Sequence, residues 1–370
     1  MNRREFVKMA GMSAAASVLA PAAGLAHNLK NRDFLYGALL HLGANMWSDE
    51  PVPRAEDPNP RYPYPDFLTP SELERAKFGH QQHGAADELR CDEEVWRTVT
   101  ARMQELGMNF VMIDIGEGLV YPSHPELAVK GSWTPEKLAD ELQRLRKMGL
   151  EPIPKLNFSA THDTWMKDYH RMVSTKKYYE VVADVIKDVC EIFKPRYFHL
   201  GWDEEDYVHQ DRHQFVVIRQ GELWWHDFLY TVREVEKYGA RPWIWSDMIW
   251  HHRDEFVDRC PKNVLQSNWY YLGDFDPPKD SPLYPMVHAY EWLDEAGFDQ
   301  VPCSSSCGDW GTYTANPRMT VGYCKSRLAP ERFKGLLSTS WKLMLKPFEQ
   351  GILQSLDQTK PAMEILGTFM

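Results

Sequence analysis

The chain has 370 residues, 43 % of them hydrophobic and 26 % charged, which supplies a large buried core and excludes a disordered chain. A formal net charge of −11 lacks the concentrated positive surface that neutralises a phosphate backbone, so no nucleic-acid partner is expected. Aromatic residues make up 13 %, among them 14 Trp, which suits stacking on the apolar faces of sugars. A Trp-rich core is the competing reading for any single ring.

Residues 1–26 read as a twin-arginine-type export signal, with Arg3 and Arg4 ahead of a run of Ala, Gly and Ser and a small-residue cleavage site at Gly24-Leu25-Ala26. The run is too short and small-residue-rich to span a bilayer. The mature protein is therefore expected outside the cytoplasm, periplasmic or secreted, and free of the membrane. Six cysteines are expected to stay mostly free and buried, although an oxidising compartment would permit disulfides.

Residues 27–370 read as one domain. A first strand falls at Phe34–Leu40, followed by a long loop at about 45–90 crowded with Pro, Gly and charge, as expected of a segment covering a binding site. Asp92 caps a helix over Glu93–Leu106, which Gly107 ends, and a strand runs Asn109–Ile115. The alternation continues with a helix at 134–148, a strand at Glu151–Asn157, a helix at 175–193 and a strand at Tyr197–Gly201. A helix at 219–238 and the strand Pro242–Ser246 come next. Three further apolar stretches, at 263–268, 299–304 and 334–340, bring the strands to eight, with a second long loop at 270–297. Eight strands separated mainly by helices predict a single-domain (β/α)8 TIM barrel. No Gly-rich dinucleotide fingerprint or phosphate loop occurs at a strand-to-helix junction, so no cofactor is expected.

Barrel enzymes carry their chemistry at the C-terminal ends of the strands. The residues predicted there are Asp114 and Glu117, Asn157 and His162, Asp203 and Glu204, Asp247, Trp269 with Tyr270 and Tyr271, Asp309 and Trp310, and Trp341. A ring of carboxylates and aromatics suits cleavage of a glycosidic bond, which needs an acid for the leaving oxygen, a group to stabilise an oxocarbenium-like centre, and rings to hold the sugar. The adjacent pair Asp203-Glu204 is the most specific feature. Mutual repulsion and burial would raise one of the two and keep a proton available; the competing reading is an acidic N-cap pair opening the next helix.

The stretch His199-Leu200-Gly201-Trp202-Asp203-Glu204 resembles the strand-four signature of family 20 glycoside hydrolases, the β-N-acetylhexosaminidases, which commonly reads His-Ile-Gly-Gly-Asp-Glu. Upstream, Pro152 to His162 resembles that family's Pro-containing third strand ending in Pro-Gly-His, and Gly107 to Asp114 is similar to its second. The Trp-bearing ends of strands five and eight resemble its aromatic pocket. The likeness covers roughly residues 105–345 loosely and 150–206 well.

The resemblance implies Glu204 as general acid/base and Asp203 as the residue orienting a substrate 2-acetamido group, whose own oxygen is the nucleophile. It further implies His162 as a partner in the carboxylate network and Trp245 and Trp341 as pocket walls. Four departures accompany it. The family's small α/β domain before the barrel is missing, and its strand-one arginine has no match near Leu40-His41-Leu42. Its strand-seven tyrosine is not evident in Val301–Cys307, and the carboxylate after the strand-eight Trp is Lys342.

Three alternatives stand beside a hexosaminidase-like exo-glycosidase acting on a carbohydrate. One is a glycosidase of other sugar specificity using Asp114, Glu117 or Asp247 as nucleophile or base. Another is a metal-dependent sugar isomerase or epimerase built on Glu117, His162 and Asp203. The third is a non-catalytic carbohydrate-binding protein.

Overall fold

The computed structural model describes residues 34–44, 48–49, 84–210, 213–306 and 314–367. The expected export signal, most of the loop at about 45–90, and Asp309 and Trp310 lie outside the described residues.

In chain order the elements are β1 (Leu35–His41), α1 (Glu93–Glu105), β2 (Phe110–Asp114), α2 (Pro135–Lys147), β3 (Glu151–Lys155) and α3 (Lys176–Phe193). Then come β4 (Tyr197–His199), α4 (Glu222–Glu236), β5 (Arg241–Trp245), α5 (Met248–His251), α6 (Arg253–Arg259) and β6 (Leu265–Ser267). The chain continues with α7 (Tyr284–Glu295), β7 (Cys303–Ser305), α8 (Asn316–Arg327), β8 (Gly335–Thr339), α9 (Glu349–Asp357) and α10 (Lys360–Leu366). The cap predicted at Asp92 holds physically, and the structure adds one at Thr134. Asp92 accepts hydrogen bonds from the amides of Glu94 and Val95 at the start of α1, and Thr134 accepts from Lys137 ahead of α2.

All strand pairs are parallel, in the order β6-β5-β4-β3-β2-β1-β8-β7. The two ends meet through bridges from Gln266 to Gln300 and from Trp269 to Cys303, which close the (β/α)8 barrel. Alternation along the strands separates two apolar layers. Leu35, Leu39, Phe110, Met112, Ile153, Trp243, Leu265, Val301 and Leu337 fill the interior. Tyr36, Ala38, Leu40, Val111 and Ile113 face outward and belong to the layer between sheet and helices, to which the helices contribute Val181, Val185, Phe228 and Val235. Burying each such side chain stabilises the fold by about 1.5–3 kcal/mol.

Three sequence expectations are corrected. The fourth strand ends at His199 rather than Gly201, because Gly201 and Trp202 turn to φ of +74° and +72°, outside the extended region. The seventh begins at Cys303; Pro302 has no amide hydrogen to give a ladder, and the register with β8 starts at Cys303 opposite Leu337. The stretch 270–297 is not all loop. Its second half is α7, which buries Val287, Ala289, Tyr290 and Leu293 and forms the crossover between β6 and β7. Five cysteines among the described residues are free thiols; four are buried and Cys91 is half-buried.

Candidate active site

At the C-terminal end of the first four strands the inward positions change from apolar to polar. Strand register places His41 beside Asp114, Asp114 beside Lys155, and Lys155 beside His199. All four side chains are buried. Lys155 Nζ donates to Asp114 Oδ2 at 2.7 Å, and His41 Nδ1 lies 3.3 Å from the same oxygen. Burial opposes ionisation of Asp114, but the Lys155 ammonium and His41 outweigh it and hold the carboxyl well below the usual range. His199 is pushed the other way, well below the usual imidazole range, by burial and by the Lys155 charge. It is therefore a neutral ring, packed 4.4 Å from Trp245.

Above this layer sits the Asp203-Glu204 pair. It does not cap a helix, since α4 starts only at Glu222. Asn157 builds the turn that presents it. Its side-chain oxygen accepts from the amides of Ser159 and Trp202, at 3.1 and 3.2 Å, and its Nδ2 donates to Asp203 Oδ1 at 2.7 Å. Gly201 is required beside it, because a Cβ at that position would lie 1.9 Å from Asn157 Oδ1. Trp202 and Glu204 both take positive φ, +72° and +55°, as does Trp341 at +52°. Such backbone costs on the order of 1–3 kcal/mol per residue and persists only where surroundings impose it. Here the Glu204 amide donates to Asp247 Oδ2 at 2.9 Å, and Thr161 Oγ1 donates to the Glu204 carbonyl at 2.6 Å.

His162 Nε2 lies 3.4 Å from Asp203 Oδ2 and 3.2 Å from Glu204 Oε2. The ring is buried, which disfavours its charge, yet the two carboxylates outweigh this and raise its pKa. Asp247 is raised to about 7, first by burial and then by the neighbouring Asp203 charge. Asp247, a partner of the pair, is thus a carboxyl whose own surroundings favour holding a proton near neutrality. Its Oδ1 accepts from Trp269 Nε1 at 3.3 Å.

The aromatic residues divide. Trp269 stacks on Tyr271 with ring centroids 5.3 Å apart, and Tyr271 lies 6.5 Å from Trp341; these three are partly open at the mouth. Trp245, expected as a wall, is only 1 % exposed. It continues the inward row of Trp243 and is closed over by His199 and, at 5.9 Å, Trp341, so it forms the floor. Glu117 is buried as well. Its Oε1 accepts from the Ala44 amide at 2.7 Å, and burial raises it to about 7. The trio suggested for a metal is therefore not assembled: among the described residues His162 and Asp203 converge with Glu204, within 4.8 Å, without Glu117.

Sequence reasoning missed Lys155, His41, His199 and His209 as members of the site. Lys155 was detectable as a charge at an inward position of an apolar strand. His209, on the loop after β4, had no such signal; its Nε2 lies 3.3 Å from Glu204 Oε1. Glu205, next to the pair, is structural. It is buried against Arg219, whose guanidinium also reaches Asp227 and the Phe158 carbonyl.

No protein-family model and no curated protein matches this sequence. Solved structures do match the fold. The family 20 β-N-acetylhexosaminidase from Streptomyces coelicolor A3(2) superposes with a TM-score of 0.56 at 14 % identity, covering 89 % of this chain and 64 % of that one. A variant of Streptomyces plicatus β-hexosaminidase in complex with its product N-acetylglucosamine gives 0.56 at 13 % identity, with the same coverage of 89 % and 64 %. The β-N-acetylhexosaminidase from Bacteroides fragilis gives 0.51 at 13 %, covering 72 % of this chain and 62 % of that one. The chain thus spans less than two thirds of each of these proteins. In fold, it is a (β/α)8 barrel like those of the family 20 β-N-acetylhexosaminidases.

Proposed function

We propose that the protein is a glycoside hydrolase, a divergent relative of family 20, that acts as an exo-β-N-acetylhexosaminidase exported through its N-terminal segment. One observation carries the reading: Asp203 sits at the barrel mouth between Trp202 and Glu204, both of positive φ, with Glu204 partly open to solvent and Asp203 fixed beneath it by Asn157. In this reading Glu204 protonates the glycosidic oxygen and later takes a proton from water. Asp203 orients the 2-acetamido group, and its carbonyl oxygen attacks the anomeric carbon. His162 keeps both carboxylates in place, and Trp269, Tyr271 and Trp341 supply the apolar surfaces that hold the ring.

A panel of 4-nitrophenyl glycosides with and without the 2-acetamido group, run on wild type and Glu204→Gln, tests it. The expected result is turnover confined to the acetamido sugars and a loss of about a hundredfold or more in the variant, in line with typical general-acid contributions. Full activity in the folded Glu204→Gln protein would sink the proposal.

Asp247 supports a second reading, in which an enzyme carboxylate is the nucleophile or base. Rescue of Asp247→Gly by azide, with a glycosyl azide as product, would favour it; Asp114, tied to Lys155 and His41, is the weaker candidate for that part.

A further inference from the structure

The two oxygens of Glu204 are in different surroundings. Oε2 faces His162, a ring only 4 % exposed and shared with Asp203, so that side is closed. Oε1 faces His209, whose side chain is 43 % exposed. A leaving-group oxygen arriving from solvent must therefore come to Oε1, where the imidazole now sits. His209 is seated there by the fold. Asp206 accepts from the amides of Val208 and His209, at 2.8 and 2.9 Å, and lies 2.8 Å from His209 Nδ1. The next residue, Gln210, is buried and pins the loop, donating to Thr161 Oγ1 at 3.2 Å and accepting from the Val217 amide at 2.8 Å.

We propose that His209, backed by Asp206, is a positioning residue that keeps the general acid loaded: it shares one proton with Oε1 of Glu204 until the leaving-group oxygen displaces the imidazole. The inference rests on Glu204 as the acid. Asp206 fixes the Nδ1–H tautomer, so Nε2 presents a lone pair to a protonated Glu204. On substrate binding the exposed ring swings away and the proton passes from Oε1 to the glycosidic oxygen as the C1–O bond breaks. The attacking water later bonds through its oxygen to the anomeric carbon as the acetamido oxygen leaves that carbon, its proton goes back to Glu204, and His209 closes again. The other titratable groups around Glu204 are His162 from the loop after β3, at Oε2, Asp203 at the end of β4, beside His162, Asp247 at the end of β5, which accepts from the Glu204 amide, and Tyr271 after β6. All four remain in a His209 variant, so a change on its removal reports the shared proton.

The test uses wild type, His209→Gln, Asp206→Asn and Glu204→Gln, with the 4-nitrophenyl and methyl β-glycosides of whichever sugar wild type cleaves. A proton shared by two bases is held to higher pH than by either alone, so the alkaline limb of kcat/KM should move down by about one pH unit in His209→Gln. The methyl glycoside, whose poor leaving group depends on the acid, should lose about tenfold at pH 8, and the nitrophenyl glycoside at least about fivefold less. Asp206→Asn should change both in the same direction, by less. An unmoved limb with equal losses on both substrates, while Glu204→Gln is inactive, overturns the inference and leaves the general acid standing. Full activity in Glu204→Gln overturns the general acid itself. A substrate-free arm is NMR titration of the His209 ring in wild type and Glu204→Gln: its proton should come off at lower pH once the carboxylate is gone, and an unchanged midpoint is contrary evidence.

Discussion

Asn157 holds Asp203: its amide nitrogen donates to Asp203 Oδ1 at 2.7 Å while its oxygen accepts from the backbone of Ser159 and of Trp202. One side chain at the end of β3 therefore shapes the turn after β4 and fixes the carboxylate that the turn presents. The arrangement leaves no room at Gly201.

Gly201→Ala is expected to damage the site from beneath. The added methyl would meet Asn157 Oδ1 at 1.9 Å, at a φ of +74° that a side chain disfavours. Loss of about 2–4 kcal/mol in urea denaturation is expected, together with reduced activity. A variant as stable as wild type would show that the turn relaxes without Asn157.

Removal of Lys155 tests the buried row. Lys155→Met leaves Asp114 buried with His41 alone, and breaking such a pair typically costs about 3–5 kcal/mol. In the double variant Lys155→Met, Asp114→Leu no lone carboxylate remains, and most of the stability should return. Chemical denaturation of the two proteins at pH 7 separates these outcomes.

Arg219→Met should be as severe as Lys155→Met for the same reason. It strands Glu205 and Asp227, both buried, and unties the start of the loop that carries His209. A loss of about 3–5 kcal/mol is expected, read by thermal or urea unfolding, and Glu205→Gln in the same background should recover part of it.

The pH dependence of stability has a sign set by Asp247. Its folded-state pKa is raised to about 7, so between the ordinary carboxylate range and pH 7 the native state binds more protons than the unfolded chain. Its contribution is therefore full below about pH 4 and lost as pH rises toward 7, an effect of at most about 4 kcal/mol. Glu117, also raised to about 7, acts in the same direction. Asp114, held low, acts oppositely and loses its contribution as pH falls below the carboxylate range. Asp247→Asn should thus gain stability relative to wild type at pH 8 compared with pH 5. Parallel thermal unfolding curves at the two pH values would contradict the assignment.

The alternation of strand and helix, the capping at Asp92, and the Asp-Glu pair at the end of the fourth strand were all legible in the sequence. Each depends on neighbours within a few residues: the period of the apolar positions, a side-chain oxygen within reach of the next amides, or a motif of six residues. Which polar residues share the site was decided only by the closed barrel. Register across parallel strands set His41, Asp114, Lys155 and His199 side by side, though 158 positions separate the first from the last. The same closure sent Trp245 to the floor and turned Glu117 toward Ala44. It also raised Asp247 toward neutrality, because a pKa follows burial and nearby charge, and both are properties of the packed chain.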